Sequence, residues 1–433
     1  LRKQFEMSLI EELKWRGMLQ DIMPGTEEQL KKEATTAYIG FDPTAESLHI
    51  GSLVPILLLY HLQQAGHKPI ALVGGATGMV GDPSGKSEER NLLNEETLQK
   101  NIAGVRSQLE KYLDFNPERE NAAEIVNNYD WFKGLGFIDF LRDVGKHITV
   151  NYMMSKDSVK KRIEGETGIS YTEFAYQLMQ GYDFYWLYTH KNCKLQMGGS
   201  DQWGNITTGT ELIRRKAGGE GFAFTCPLIT KADGGKFGKT EKGNVWLDPE
   251  KTTPFQFYQF WLNAADTDAE KWIKIFTLLP KAEIEALLSE HAVDPGARIL
   301  QKKLASAITS FVHGEAECVS AQQTTEQLFG KKEEINLHEL SENDLLNAME
   351  GVPVHTIASA SILAGIDIVS FLFDTGIFPS KGEARKMVQG GGISINREKM
   401  ADQAFLIGSS ALLANKYIAV QKGKKNHYLV KMD

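Results

Sequence analysis

Apolar positions follow two rhythms along this chain. Over the first 250 residues, short strand-like runs alternate with longer stretches of helical spacing, the order of an α/β fold with a parallel sheet. Residues 34–42 read as a strand, 51–65 as an apolar helix and 69–73 as a short buried strand entering a glycine-rich loop at 74–86. Leu98, Ile102, Val105, Leu109 and Leu113 share one face of a helix over 95–113. A strand at 123–127, a helix at 131–147, a long aromatic helix at 172–190 and a strand at 194–197 follow, the last running through Gly198-Gly199 into a helix from Ser200. Residues 222–230 and 245–248 close this part around a lysine-bearing loop.

The rhythm changes after Asp248-Pro249. Thr252-Thr253-Pro254 reads as a helix cap with proline at the first turn. From there the pattern is helical to about Gly351, and Gly351-Val352-Pro353 reads as a linker. Residues 366–375 read as a helix, Phe378-Pro379-Ser380 as a turn and cap, 381–389 as a second short helix, and 393–395 as a strand after three glycines. The expected division is an α/β parallel-sheet domain over 1–249, an all-α domain over 250–350 and a small α+β module over 353–433.

Composition adds little except in its distribution. The 433 residues carry a net charge of −8, yet residues 379–433 hold ten Lys/Arg against four acids, so a module of +6 sits on a body of −14. A basic module on an acidic chain is either an electrostatic footprint for phosphate backbones or a solvated basic surface. Cys193, Cys226 and Cys318 are odd in number and widely spaced, which points to buried thiols in a reducing cytoplasm and not to disulfides or a metal site. The longest apolar run, 53–59, contains Pro55 and is far shorter than the roughly 20 residues of a membrane span. The N-terminus shows no apolar core of a secretion signal. The expectation is a cytoplasmic protein with no membrane partner.

Chemistry concentrates where strands meet helices. Asp42-Pro43-Thr44 breaks the first strand, and His49-Ile50-Gly51-Ser52 opens the next helix, whose free N–H groups and dipole favour phosphate. His49 there either caps the helix or donates to an α-phosphate, and Gly51 leaves room for a base or ribose. Gly74–Ser87 tempts a P-loop reading, but Val80 stands where that pattern requires glycine, so it is rejected. Lys86 and Arg90 still suit one wall of a phosphate site. Tyr176, Gln180 and Asp183 fall at i, i+4 and i+7 on one face of the aromatic helix, as a buried polar network or a ligand pocket. Asp201-Gln202 ends another strand. In a doubly wound sheet such carboxyl ends share one crevice. Lys236-Phe237-Gly238-Lys239-Thr240 is a loop with glycine hinges and two cations, a clamp for a triphosphate or a solvated basic loop.

Taken together these segments resemble the bacterial-type tyrosyl-tRNA synthetases, class I aminoacyl-tRNA synthetases, over essentially the whole chain. His49–Ser52 occupies the family's HIGH signature, with Ser52 in place of its second histidine, and Lys236–Thr240 occupies its KMSKS signature. The resemblance implies a Rossmann-like catalytic domain, an α-helical anticodon-side domain and an S-four-type RNA-binding module in which Lys381, Arg385 and Lys386 meet RNA. It implies that Tyr38 and Asp183 bond the tyrosine phenol, that Tyr176, Gln180 and Asp82 surround its ammonium, and that Gln202 lies near its carboxylate. Gly40, Asp42, Thr44, His49, Gly51, Asp201 and Lys239 fall on ATP-side positions, and Lys86, Arg90, Lys236, Lys239 and Thr240 on those that hold pyrophosphate. Implied partners are L-tyrosine, ATP with Mg²⁺ on its phosphates, the tRNA for tyrosine and a second copy in a homodimer, with no protein-ligated metal. Two alternatives stand beside it: a tryptophanyl-tRNA synthetase, and an RNA-binding paralogue that has lost activation.

Overall fold

The computed structural model describes residues 7–84, 94–165, 168–232, 234–235, 237–240, 243–329, 337–339, 342, 345–346, 349, 352–423 and 426–433. They form two compact units: Leu1–Lys251 with Asn263–Ile308, and Thr252–Leu262 with Thr309–Asp433.

The first unit is built on five parallel strands, β1 (Thr36–Phe41), β2 (Lys68–Val73), β3 (Glu124–Asn127), β4 (Cys193–Gly199) and β5 (Phe222–Cys226), in the order β3-β2-β1-β4-β5. Helices cover both faces, so β2 and β5 are apolar and buried along nearly their whole length, as parallel strands must be. The chain leaves β1 to one side through β2 and β3, then returns to β1's other edge with β4. That reversal places a crevice beyond the ends of β1 and β4. Leu53–Gln64 follows β1 and is buried almost all round, and Tyr171–Lys191 packs against Trp203–Ala217 beside β4.

Three expectations need correction in detail. The helix expected over 131–147 is three pieces, Tyr129–Phe132, Phe137–Asp143 and a 3-10 turn Gly145–His147, because Gly134, Gly136 and Gly145 interrupt it. The helix Glu95–Leu109 stops short of Leu113, because Asp114 turns to exchange hydrogen bonds with the Gln63 side chain. Ile366-Asp367 is strand, pairing with Leu406–Ile407. Asp367 then caps Ile368–Asp374 by accepting from the Ser370 amide.

Beyond β5 the first unit continues in helices Asp266–Phe276 and Lys281–Val293. Arg16, almost wholly buried, donates to the carbonyls of Lys274, Thr277 and Leu279, closing the C-terminus of Asp266–Phe276 with a cation.

In the second unit Pro254–Leu262 begins with Thr253 and Gln256 capping each other's amides, and Gln259 donates to Thr325 of Glu315–Phe329. Its C-terminal part is a five-stranded mixed sheet in the order 398–400, 393–395, 417–422, 426–432, 354–357, the last pair parallel. Phe371, Leu372, Ala384 and Val388 of two short helices bury against Ile393, Val420 and Val430 of that sheet. All three cysteines are buried. Among the described residues no helix is long and apolar enough to cross a membrane.

Candidate active site

A cavity of about 200 Å³ opens at the switch point between β1 and β4. Since ~150 Å³ holds a benzene, it has room for one substituted aromatic ring. Tyr38, Gly40 and Asp42 line it from β1 and its end, Gln196 to Gly199 from β4, and Gln202 from the turn after it. Tyr176, Gln180 and Asp183 all face it, as their spacing requires, and Thr77 and Asp82 enter from the loop after β2.

The far wall is polar and buried. Asp183 accepts from Trp131 Nε1 at 2.8 Å and from Asn128 Nδ2 at 3.1 Å. Burial pushes its carboxyl up to about 8, against the pull of those two donors and with the Asp42 charge adding to the rise. The Tyr38 hydroxyl lies in the same wall without a hydrogen-bond partner among the described residues, and its pKa is driven well up by burial and then by the Asp183 charge. A buried hydroxyl left unpaired next to a buried carboxylate is a pair prepared for a third polar group.

Near the mouth, Asp42 accepts from Tyr176 Oη at 2.9 Å and from Thr77 Oγ1 at 3.0 Å. Gly74 permits this approach, since a Cβ there would meet Asp42 Oδ1 at 2.3 Å. Gln202 donates to Asp82 Oδ2 at 2.7 Å and Asn205 donates to Gln180 Oε1 at 3.0 Å. Asp201 adjoins through Gln202, and burial raises its carboxyl against the pull of the Gln202 bond, with the Asp82 charge adding to the rise. Three carboxylates, Asp42, Asp82 and Asp183, therefore line one small cavity, an arrangement suited to a cationic group at one end and a hydroxyl at the other.

On the adjoining side His49 caps the 3-10 turn Ile50–Ser52: its Nδ1 accepts from the Gly51 amide at 3.0 Å. That bond places the neutral ring's proton on Nε2. The exposed Thr44 donates its amide to the Asp42 carbonyl. The lysine loop is tied to this corner. Ile50 N donates to Val245 O and Val245 N to Gly238 O, and Gly238 has φ +79° with Ile50 Cγ1 3.1 Å from where a Cβ would stand. Phe237 stacks on Phe276 (centroids 5.2 Å apart) and meets Trp272 edge-on at 5.1 Å, so the loop is anchored to the helix that Arg16 closes. The backbone of Lys239-Thr240 pairs with Gly243-Asn244. Lys86, Arg90 and Lys236 lie outside the described residues. Lys381, Arg385 and Lys386 are exposed on Lys381–Gln389, far along the chain in the second unit.

The sequence reading missed Thr77, Asn128, Trp131 and Asn205. Asn128 follows the end of β3, so the rule that found Asp42 and Asp201 at strand ends would have found it too. Trp131 gave no such signal, because its role depends on a ring orientation.

Fold and pocket together define a class I tRNA synthetase. Residues 30–330 match the family model for class I tRNA synthetases (W and Y), and residues 344–430 match that for the tyrosine--tRNA ligase SYY-like C-terminal domain. A tyrosine--tRNA ligase of Bacteroides thetaiotaomicron is 60% identical over 98% of this chain and 99% of its own length, and one of Flavobacterium johnsoniae is 60% identical over the same shares. A solved C-terminally truncated mitochondrial tyrosyl-tRNA synthetase of Aspergillus nidulans superposes with a TM-score of 0.67 at 30% identity, covering 75% of this chain and 95% of that one. The chain belongs to the tyrosine--tRNA ligase family.

Proposed function

We propose that this protein activates L-tyrosine with ATP, giving tyrosyl-adenylate and pyrophosphate, and transfers tyrosine to the terminal ribose of its tRNA. The observation that carries the reading is the unpaired Tyr38 hydroxyl beside Asp183 at the closed end of a cavity whose mouth is lined by Asp42 and Asp82. A phenol fills the first need and an α-ammonium the second, and family membership supports both. Tyrosine over phenylalanine is then selected by the cost of leaving the Tyr38 hydroxyl unpaired and Asp183 one donor short; this enzyme family is the standard example of such selection, at about 10⁵.

The tyrosine carboxylate is already a nucleophile at neutral pH, so adenylation needs no general base. It attacks the α-phosphorus, and the bond to the bridging oxygen of the pyrophosphate breaks. What the protein supplies is alignment and neutralisation of the charge that develops. Tyr176 and Gln180 hold the ammonium end with Asp82, and Gln202 lies near the carboxylate. His49, through Nε2, and the helix start at Gly51 face the α-phosphate side with Gly40, Asp42, Thr44 and Asp201. Lys86, Arg90, Lys236, Lys239 and Thr240 take the pyrophosphate, with Mg²⁺ arriving on the ATP phosphates.

The division at 1–249, 250–350 and 353–433 assigns catalysis, the anticodon side and RNA binding in turn, with Lys381, Arg385 and Lys386 against the tRNA backbone. Phe137, Ile138, Val150 and Tyr171 are large apolar side chains more than half exposed in one stretch of the first unit. They support a homodimer formed through that stretch. The cytoplasm is the proposed compartment. Exchange between ATP and labelled pyrophosphate, with tyrosine, tryptophan or phenylalanine offered separately, tests the activity. Exchange with tyrosine alone is expected, exchange with tryptophan would overturn the substrate, and none at all would overturn the enzyme.

A further inference from the structure

Asp183 is held by two donors of unequal security. Asn128 is wholly buried and fixed at every polar atom: its Oδ1 accepts from the Ala76 amide at 2.7 Å, its own amide donates to Val73 O, and its Nδ2 reaches both Thr77 Oγ1 and Asp183. The Trp131 side chain has one polar atom, Nε1, and that atom is bonded to Asp183. Its half-buried ring stands on the single turn Tyr129–Phe132, just before the glycine-broken stretch, so no second hydrogen bond sets its angle.

A stack sets it. Trp186 lies 4.3 Å from Trp131, centroid to centroid, with the planes 13° apart, and His190 stacks on Trp186 at 4.4 Å and 10°. Asp183, Trp186 and His190 stand at i, i+3 and i+7 of one helix, hence on one face. The same helix thus supplies the carboxylate and the surface that orients the indole holding that carboxylate. Both tryptophans also pack against the core cluster that contains Tyr38 and Phe184. Trp186 does not line the cavity.

We infer that Trp186 is a positioning residue for amino-acid selection. It holds the Trp131 ring at the angle from which Nε1 reaches Asp183 Oδ1, so that the carboxylate keeps its remaining lone pairs aimed at the substrate hydroxyl. Replacing the flat ring lets Trp131 rotate, and Asp183 then turns on the single pivot of Asn128. This rests on the proposed reading that Asp183 receives the tyrosine phenol.

The test is pyrophosphate exchange by the full chain, measuring kcat and KM for tyrosine and for phenylalanine. Trp186→Leu keeps apolar bulk without a flat ring. It should lower the ratio of kcat/KM for tyrosine to that for phenylalanine by about fivefold to tenfold, mainly through the tyrosine KM. Trp186→Phe, which restores a ring, should recover most of that ratio. Trp186→Leu added to Trp131→Phe should lower it little further, because the two act through one hydrogen bond. An equal loss toward both amino acids would mark a structural role and overturn the proposal. So would an unchanged ratio in Trp186→Leu alongside a lowered one in Trp131→Phe. If Trp131→Phe also leaves the ratio unchanged, the Trp131 bond does not position Asp183 and the proposal falls; a ratio unchanged in Asp183→Asn as well would bring down the underlying reading.

Discussion

The Tyr176 hydroxyl donates to Asp42 across 2.9 Å and so joins the aromatic helix to the end of β1. The bond crosses from one proposed substrate to the other, since Tyr176 belongs to the tyrosine side and Asp42 to the ATP side. Tyr176→Phe should raise the tyrosine KM by about tenfold and also raise the KM for ATP, as expected when a charged acceptor loses one donor. Exchange kinetics with each substrate varied in turn will read this; an effect on tyrosine alone would mean that the bond does not couple the two sides.

The raised pKa of Asp183 predicts a pH dependence. A phenol donates best to the ionised carboxylate, and burial holds that group's pKa near 8. Tyrosine affinity should therefore rise with pH between about 6.5 and 8.5, while phenylalanine, having no phenol to donate, shows no such slope. Stability runs the other way. A carboxyl whose folded pKa lies above its unfolded value of 3.8 favours the fold at low pH and loses that contribution as pH rises through about 8. Asp183→Asn removes this dependence, so in urea melts the ligand-free variant should gain on the parent as pH climbs from 4 toward 8.

Among the described residues of the lysine loop, Gly238 is the glycine least open to change. Its φ of +79° and the Ile50 side chain 3.1 Å from a Cβ leave alanine both strained and crowded. Gly238→Ala should slow adenylate formation by about tenfold to a hundredfold while tyrosine binding stays near normal. Rapid-quench measurement of adenylate against equilibrium dialysis of tyrosine separates the two. Loss of tyrosine binding would place the damage in the pocket.

Ending the chain near Pro353 removes the mixed sheet with its own core of Phe371, Ile393 and Val420. Pyrophosphate exchange should survive and tRNA charging should fall by about two orders of magnitude or more, as several phosphate contacts are lost together. Charging that persists would refute an RNA role for this module.

The five strands of the parallel sheet were legible because each is a short apolar run bounded by turn residues, and the stripe Tyr176, Gln180, Asp183 because helical spacing is rigid. Strand ends then located Asp42 and Asp201 by topology alone. The helix over 131–147 was misread because its apolar periodicity outlasts its backbone, which Gly134 and Gly136 break. Val354–Ile357 escaped because it pairs in parallel with Asn426–Met432, a partner no local pattern announces. The Trp131–Asp183 bond was beyond reach for a similar reason: an indole reports nothing about its rotation until the ring beneath it is known.

β1 is the first of the five strands in chain order yet lies in the middle of its sheet, with Tyr38 paired to Ile70 on one edge and to Gln196 on the other. During synthesis the first edge is covered early. The second waits until more than 150 further residues have left the ribosome, and through that interval an apolar strand keeps an open row of amide and carbonyl groups. The segment proposed to read the substrate is thus also exposed to mispairing before the chain is complete. Substitutions that delay or weaken β4 should first appear as lost yield of folded protein, before any change in the enzyme that does fold.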